Sequence, residues 1–180
     1  MVILTAMNTL ITREQYLRGP QPYAARQASM GFTLIEMLTV ITIIGILSAF
    51  AIPAFTGVIA TYRAKSVASE LFAAFSVARS EAIKRNGAVT LQQKTGGWAN
   101  GWQIVDSTSA ILDDRGAATG ATINTTPAST TSVVYRSMGR LNATTAPMFV
   151  ISTTYGSSTV YQCVSVELSG RPYTKAASTC

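Results

Sequence analysis

The chain has 180 residues and not one histidine. That absence removes Ser-His-Asp and Cys-His nucleophile arrangements, the commonest general acid and base, and most zinc sites. Cysteine is nearly as scarce, with Cys163 and Cys180 the only two. Acidic residues are few, eight against fourteen Lys and Arg, for a formal charge of +6. The basic residues are scattered rather than clustered, so this balance allows weak attraction to nucleic acid or anionic lipid without demanding either. Asp106, Asp113 and Asp114 offer oxygen ligands for a hard cation. Their spacing matches no calcium loop, and loop carboxylates followed by Gly116 read as a turn. Nothing here resembles an active site, so the sequence reads as a non-enzyme that calls for no cofactor and no metal.

What is present is one long apolar run headed by Gly31-Phe32-Thr33-Leu34-Ile35-Glu36. As a helix, Phe32 to Ile52 rises roughly 31 Å, which matches the hydrocarbon thickness of a bilayer. Glu36 is the anomaly in it. An ionisable side chain inside a membrane segment costs on the order of 3 kcal/mol and normally marks a partner or a pathway. A plain anchor is better without it. If the chain is cut after Gly31, the new amino group on Phe32 lies one helical turn from Glu36. The amine of a neighbouring, staggered subunit reaches the same carboxylate.

This hexapeptide and its apolar helix resemble the prepilin signal of type IV pilins and type II secretion pseudopilins. The resemblance implies that a prepilin peptidase cuts between Gly31 and Phe32 and N-methylates Phe32, leaving an N-methylphenylalanine. It also implies that Glu36 neutralises the amine of an adjacent subunit during filament assembly. Residues 1–31 are then a leader, 32–53 a transmembrane and filament-core helix, and 54–180 a periplasmic head domain. The leader departs from the pattern: Ser29-Met30 stand where a basic residue often precedes the glycine. Arg13, Arg18 and Arg26 still give a positive cytoplasmic flank, and Met7 is an alternative start. The expected location is the bacterial inner membrane, single-pass, followed by a pilus or pseudopilus filament. The leader holds three Arg and one Glu, so +4 of the charge remains in the mature chain.

Beyond the span, Pro53 is expected to kink or open the helix, and Gly57 to weaken it. Val58 to Arg85 again reads as helix, with Val67, Leu71, Phe75, Ala78 and Ala82 on one apolar face. Asn86-Gly87 is a natural stop. If straight, Phe32 to Arg85 extends roughly 80 Å. Ala88–Lys94 and Gly101–Asp106 alternate as strands around a Gly96-Gly97 turn. Ser107 to Ser132, rich in Ala, Thr, Ser and Gly, reads as a long loop with a short strand at Ala110–Leu112. Val133–Arg136, Met148–Ser152 and Tyr161–Leu168 are further strand candidates. The fold class is therefore α+β, a long N-terminal helix with an antiparallel β-sheet head domain packed on its second half.

Val77-Ala78-Arg79-Ser80-Glu81-Ala82-Ile83-Lys84-Arg85-Asn86, with Val89 and Leu91 and then Trp98-Ala99-Asn100-Gly101-Trp102-Gln103-Ile104-Val105-Asp106, is similar to the GspH/FimT (FimU-like) group of minor pilins and pseudopilins. Within it, Arg79 and Glu81 are candidates for salt bridges to the head, and Trp98 and Trp102 for core packing. In an exported chain Cys163 and Cys180 read as a disulfide closing a C-terminal loop, worth roughly 3 kcal/mol; two unrelated thiols are the alternative. Three jobs compete inside the group. One is a minor pilin at the tip of a type IV pilus that helps prime assembly, and another a minor pseudopilin of the type II secretion system. The third is a DNA-binding pilin of natural transformation. The partners implied are the prepilin peptidase, other pilins or pseudopilins and the inner membrane, with DNA only under the third. DNA-binding members are expected to carry Gly-Arg-x-Arg near the C-terminus. Gly170-Arg171-Pro172-Tyr173 keeps only the first arginine, leaving Arg171 and Lys175 as a thin cluster unless Arg136 and Arg140 join it.

Overall fold

The computed structural model describes residues 31–180, apart from the side chains of residues 50–54. The leader readings at residues 1–30, including Arg13, Arg18, Arg26, Ser29, Met30 and the start at Met7, lie outside the described residues. Two units are distinct, one ending at Ile44 and one running from Gly45 to Cys180. Each is described on its own terms.

Helix α1 (Leu34–Lys84) begins in the first unit, where Phe32, Leu34, Ile35, Ile41 and Ile44 are all more than half exposed. Among the described residues no helix is long and apolar enough to cross a membrane; the described side chains of the apolar run stop at Ala49. In the second unit α1 continues through Pro53 and Gly57 with helical backbone. The opening expected at Pro53 therefore does not interrupt it, because a proline removes one hydrogen bond and the flanking turns keep theirs. Ala60, Ala64, Val67, Ala68, Leu71, Ala74, Phe75, Ala78 and Ala82 are buried, at the three- and four-residue spacing of one helical face. The helix ends at Asn86, whose φ of 49° is left-handed. Asn86 N–H donates to Ile83 O and Gly87 N–H to Ala82 O, which closes a Schellman motif.

Eight strands follow among the described residues: β1 (Val89–Gln93), β2 (Trp102–Asp106), β3 (Ile111–Arg115), β4 (Thr122–Thr126), β5 (Ser132–Tyr135), β6 (Met148–Tyr155), β7 (Ser158–Val166) and β8 (Pro172–Lys175). They form two antiparallel sheets, ordered β3-β2-β1-β5 and β4-β6-β7-β8. Alternation decides what faces inward. Val89, Leu91, Trp102, Ile104, Val133 and Tyr135 come from the first sheet, and Phe149, Ile151, Val164 and Val166 from the second. They share one core with the buried face of α1, where the Phe149 ring lies 5.2 Å from Phe75 and 4.8 Å from Trp98.

The loop expected over Ser107–Ser132 is corrected in part: its short strand at Ala110–Leu112 falls on β3, which runs on to Arg115, and the segment also supplies β4. They occupy an edge in different sheets, so a single expected sheet becomes two. Edge strands need little apolar alternation, and β3 is almost wholly exposed. Asp113, Asp114 and Arg115 on β3 give that edge charges that discourage pairing with another chain.

Candidate functional site

Three places carry chemistry beyond packing: the start of α1, the charged seam between α1 and the first sheet, and a pair of turns near the end of the chain. At the first, Gly31 and Phe32 precede the helix in exposed, non-helical backbone. A built Cβ on Gly31 would meet nothing within 4 Å. Glu36 has a structural role that the sequence reading missed. Thr33 N–H donates to Glu36 Oε2 at 3.2 Å, the Thr33 hydroxyl donates to the same oxygen at 3.3 Å, and Glu36 N–H donates to Thr33 Oγ1 at 3.2 Å. This is a capping box, with Thr33 at the N-cap and Glu36 three residues on. The signal was present as Thr-x-x-Glu ahead of an apolar run. The box holds the carboxylate at the positive end of the helix dipole.

The seam runs through Arg85. Glu81 pairs within the helix with Arg85 (2.6 Å) and Lys84 (3.4 Å), and Arg85 Nη1 reaches Asp106 Oδ2 at the end of β2 (3.5 Å). The bridge to the head expected from Arg79 or Glu81 is thus made by Arg85 instead. Hydrogen bonding from Arg85 holds the Glu81 carboxyl below its ordinary range. The Thr108 hydroxyl and the Ala110 and Thr108 amides do the same for Asp106, helped by Arg85. Two further ion pairs, Lys94–Asp114 and Arg115–Glu70, tie β3 to the residue after β1 and to α1. The cation site imagined for Asp106, Asp113 and Asp114 does not assemble: Asp106 and Asp114 are committed to these partners. Among the described residues no three His, Cys, Asp or Glu side chains group to hold a metal ion.

The third place is built from Arg136–Arg140 and Glu167–Arg171. Gly139 and Gly170, both at positive φ, bring the two turns into backbone contact, and a built Cβ on Gly170 would overlap the Gly139 carbonyl oxygen. Arg136 and Arg140 therefore do lie on a turn against the one that carries Arg171, whereas Lys175 sits at the opposite end of β8, in register with Cys163. Cys163 and Cys180 form a disulfide that fixes the C-terminus on β7. Beneath the turns, Tyr135 Oη and Arg79 Nε are buried without a hydrogen-bond partner. Burial holds the Tyr135 phenol well above its ordinary range, with Arg79 acting in the opposite direction. A phenol protonated more readily folded than unfolded supports the fold below pH about 10 and loses that support as pH rises past it. Tyr135→Phe is expected to flatten this alkaline loss in a pH-melting series. It should leave stability at neutral pH unchanged or raised by up to about 1 kcal/mol. A clear loss of stability at pH 7 would mean that the hydroxyl has a partner after all.

A long α-helix whose outer half carries an antiparallel β head, with a capped carboxylate at its start, is the architecture of a type IV pilin-like subunit. A family described as type II transport protein GspH matches residues 67–170, and the prokaryotic N-terminal methylation motif matches residues 31–52. Since the first match alone spans more than half of the chain, the protein belongs to the GspH family. Two crystal forms of the type IV minor pilin FimU of Pseudomonas aeruginosa strain PAO1 have the same fold. One is 24% identical, with a TM-score of 0.56, covering 65% of this chain and 94% of that one. The other is 25% identical, with a TM-score of 0.55, covering 64% and 98%. No curated protein sequence matches significantly.

Proposed function

We propose that this chain is a minor pilin of a type IV pilus, incorporated at the tip, where it helps prime assembly with other pilins. The observation that carries the reading is the likeness to FimU over 98% of that chain's length at 25% identity. In this reading residues 1–31 are the leader, the prepilin peptidase cuts between Gly31 and Phe32, and Phe32 is N-methylated. The apolar run from Phe32, which continues in the sequence to Ile52, anchors the precursor in the inner membrane with residues 54–180 in the periplasm. Glu36 is the assembly carboxylate. The protein is structural and catalyses nothing.

A second reading, a minor pseudopilin of the type II secretion system, is favoured by the description of the matched family. DNA binding in transformation is third; the abutting turns of Arg136, Arg140 and Arg171 support it, and the missing second arginine of the C-terminal motif weakens it. A clean deletion strain separates them. Lost surface pili with normal secretion supports the minor pilin. Normal pili with exported enzymes trapped in the periplasm makes it a pseudopilin. Normal pili and secretion with a fall in transformation frequency would move DNA binding to first place.

Cleavage has its own test. Gly31→Val places a branched side chain beside the scissile bond, and the expected product on a gel is the uncut precursor alone. A processed band would refute the assigned site.

A further inference from the structure

The two abutting turns form a surface with an unusual balance of charge and apolar exposure. Each is closed by its own backbone. Arg136 N–H donates to Arg140 O and Gly139 N–H to Arg136 O, both at 2.8 Å, while Glu167 N–H donates to Arg171 O at 3.0 Å and Gly170 N–H to Glu167 O at 2.7 Å. Leu141 N–H reaches Leu168 O, which joins one turn to the other. Gly139 is wedged on Ile83 and Arg79 of α1, so the pair is seated on the helix rather than projecting freely. At the crest of the first turn Met138 is 75% exposed, and Leu168 on the second is 39% exposed.

The ion pairs among the described residues engage Lys84, Arg85, Lys94 and Arg115. None engages Arg136, Arg140 or Arg171; the Arg136 guanidinium donates to the neutral Asn142 side chain. The single carboxylate on either turn, Glu167, accepts from its neighbour Ser169.

We propose that these turns are a preformed docking knob for an acidic protein partner. Met138 and Leu168 enter an apolar pocket, and Arg136, Arg140 and Arg171 meet carboxylates on its rim. Methionine and arginine are the residues enriched at protein interfaces, with apolar anchors at the centre and charges at the edge. A rigid turn loses little freedom on docking. Exposed cations alone are weak, so the anchors carry affinity and the arginines select the sign of the partner. Phosphate recognition gains nothing from an exposed methionine at the crest. A second copy of this chain fits badly, because Glu70, Glu81, Asp106 and Asp114 are already paired with its own cations and the whole is net positive. The partner is therefore a different chain, of opposite sign. The inference rests on the filament-subunit reading only for where the two meet.

The test uses the full-length protein in its own cells, with a photo-crosslinking amino acid at Met138 and, as a control, at the exposed Ile111. The expected result is a crosslink from 138, absent from 111, into an acidic segment of one other protein. Arg140→Glu with Arg171→Glu should cut its yield about tenfold, and Lys175→Glu should change it little. A crosslink insensitive to the double reversal overturns the proposal. So do products that contain nucleic acid or a second copy of this chain, and so does a yield at 138 no greater than at 111. The filament reading is scored separately in the same strains. A charge-sensitive crosslink with the chain absent from filaments would sink that reading and leave the knob. Filaments containing the chain, with no crosslink from 138, would do the reverse.

Discussion

Replacing Glu36 by alanine is expected to leave leader cleavage intact and to reduce incorporation into filaments about a hundredfold. The magnitude comes from leaving a charge unmet in an apolar setting. An amine or carboxylate without its partner there costs on the order of 3 kcal/mol, and every 1.4 kcal/mol is about tenfold. The capping box complicates the substitution, because alanine also removes the hydrogen bonds that Glu36 accepts from Thr33. Loss of a cap costs about 1 kcal/mol, too little to give the same effect. Glu36→Gln separates the two roles. Glutamine keeps an oxygen for the Thr33 amide but has no charge to offer an incoming amine. If charge pairing governs assembly, Gln should fail nearly as badly as Ala. If Gln assembles normally, the carboxylate matters as a cap and the charge-pairing argument falls.

The second large effect is expected at Gly170. Its φ of +85° is one that side chains rarely adopt, and a Cβ there would overlap the Gly139 carbonyl and press on the Tyr135 ring at 3.3 Å. Backbone strain alone accounts for about 1 to 2 kcal/mol. The overlap cannot be relieved by rotating a side chain, since the obstacle is backbone, so Gly170→Ala should cost about 3 kcal/mol or more and lower the melting temperature by about 10 °C. Gly156 is the control, because it also has positive φ, +53°, but nothing lies within 4 Å of a built Cβ. Gly156→Ala should therefore show the strain cost without the clash, about 1 kcal/mol. Equal effects at the two positions would mean that the turns can separate, and the seating of the docking knob would be wrong.

Much of this architecture was legible in the sequence because it is local. The buried stripe Val67, Leu71, Phe75, Ala78 and Ala82 follows from a period of 3.6, and the stop at Asn86-Gly87 from the chemistry of a left-handed cap. The capping box is equally local, since Thr33 and Glu36 stand three residues apart ahead of an apolar run. The second sheet was not legible. Strand β4 is Thr122-Ile123-Asn124-Thr125-Thr126, whose single apolar residue gives no alternation to read, and its pairing with β6 joins residues far apart in sequence. The bridge from Arg85 to Asp106 and the contact of Gly139 with Gly170 are of the same kind. Nothing local in either partner announces the other, and only the folded chain brings them together.

Whether this chain becomes a processed filament subunit can be read by sequencing its N-terminus in sheared surface filaments by mass spectrometry. A terminal peptide that begins at N-methylated Phe32 is expected in the filament fraction, depleted there in the Glu36→Ala strain. A chain that retains residues 1–31, or one processed at Phe32 but confined to the membrane fraction in the wild type, would contradict it.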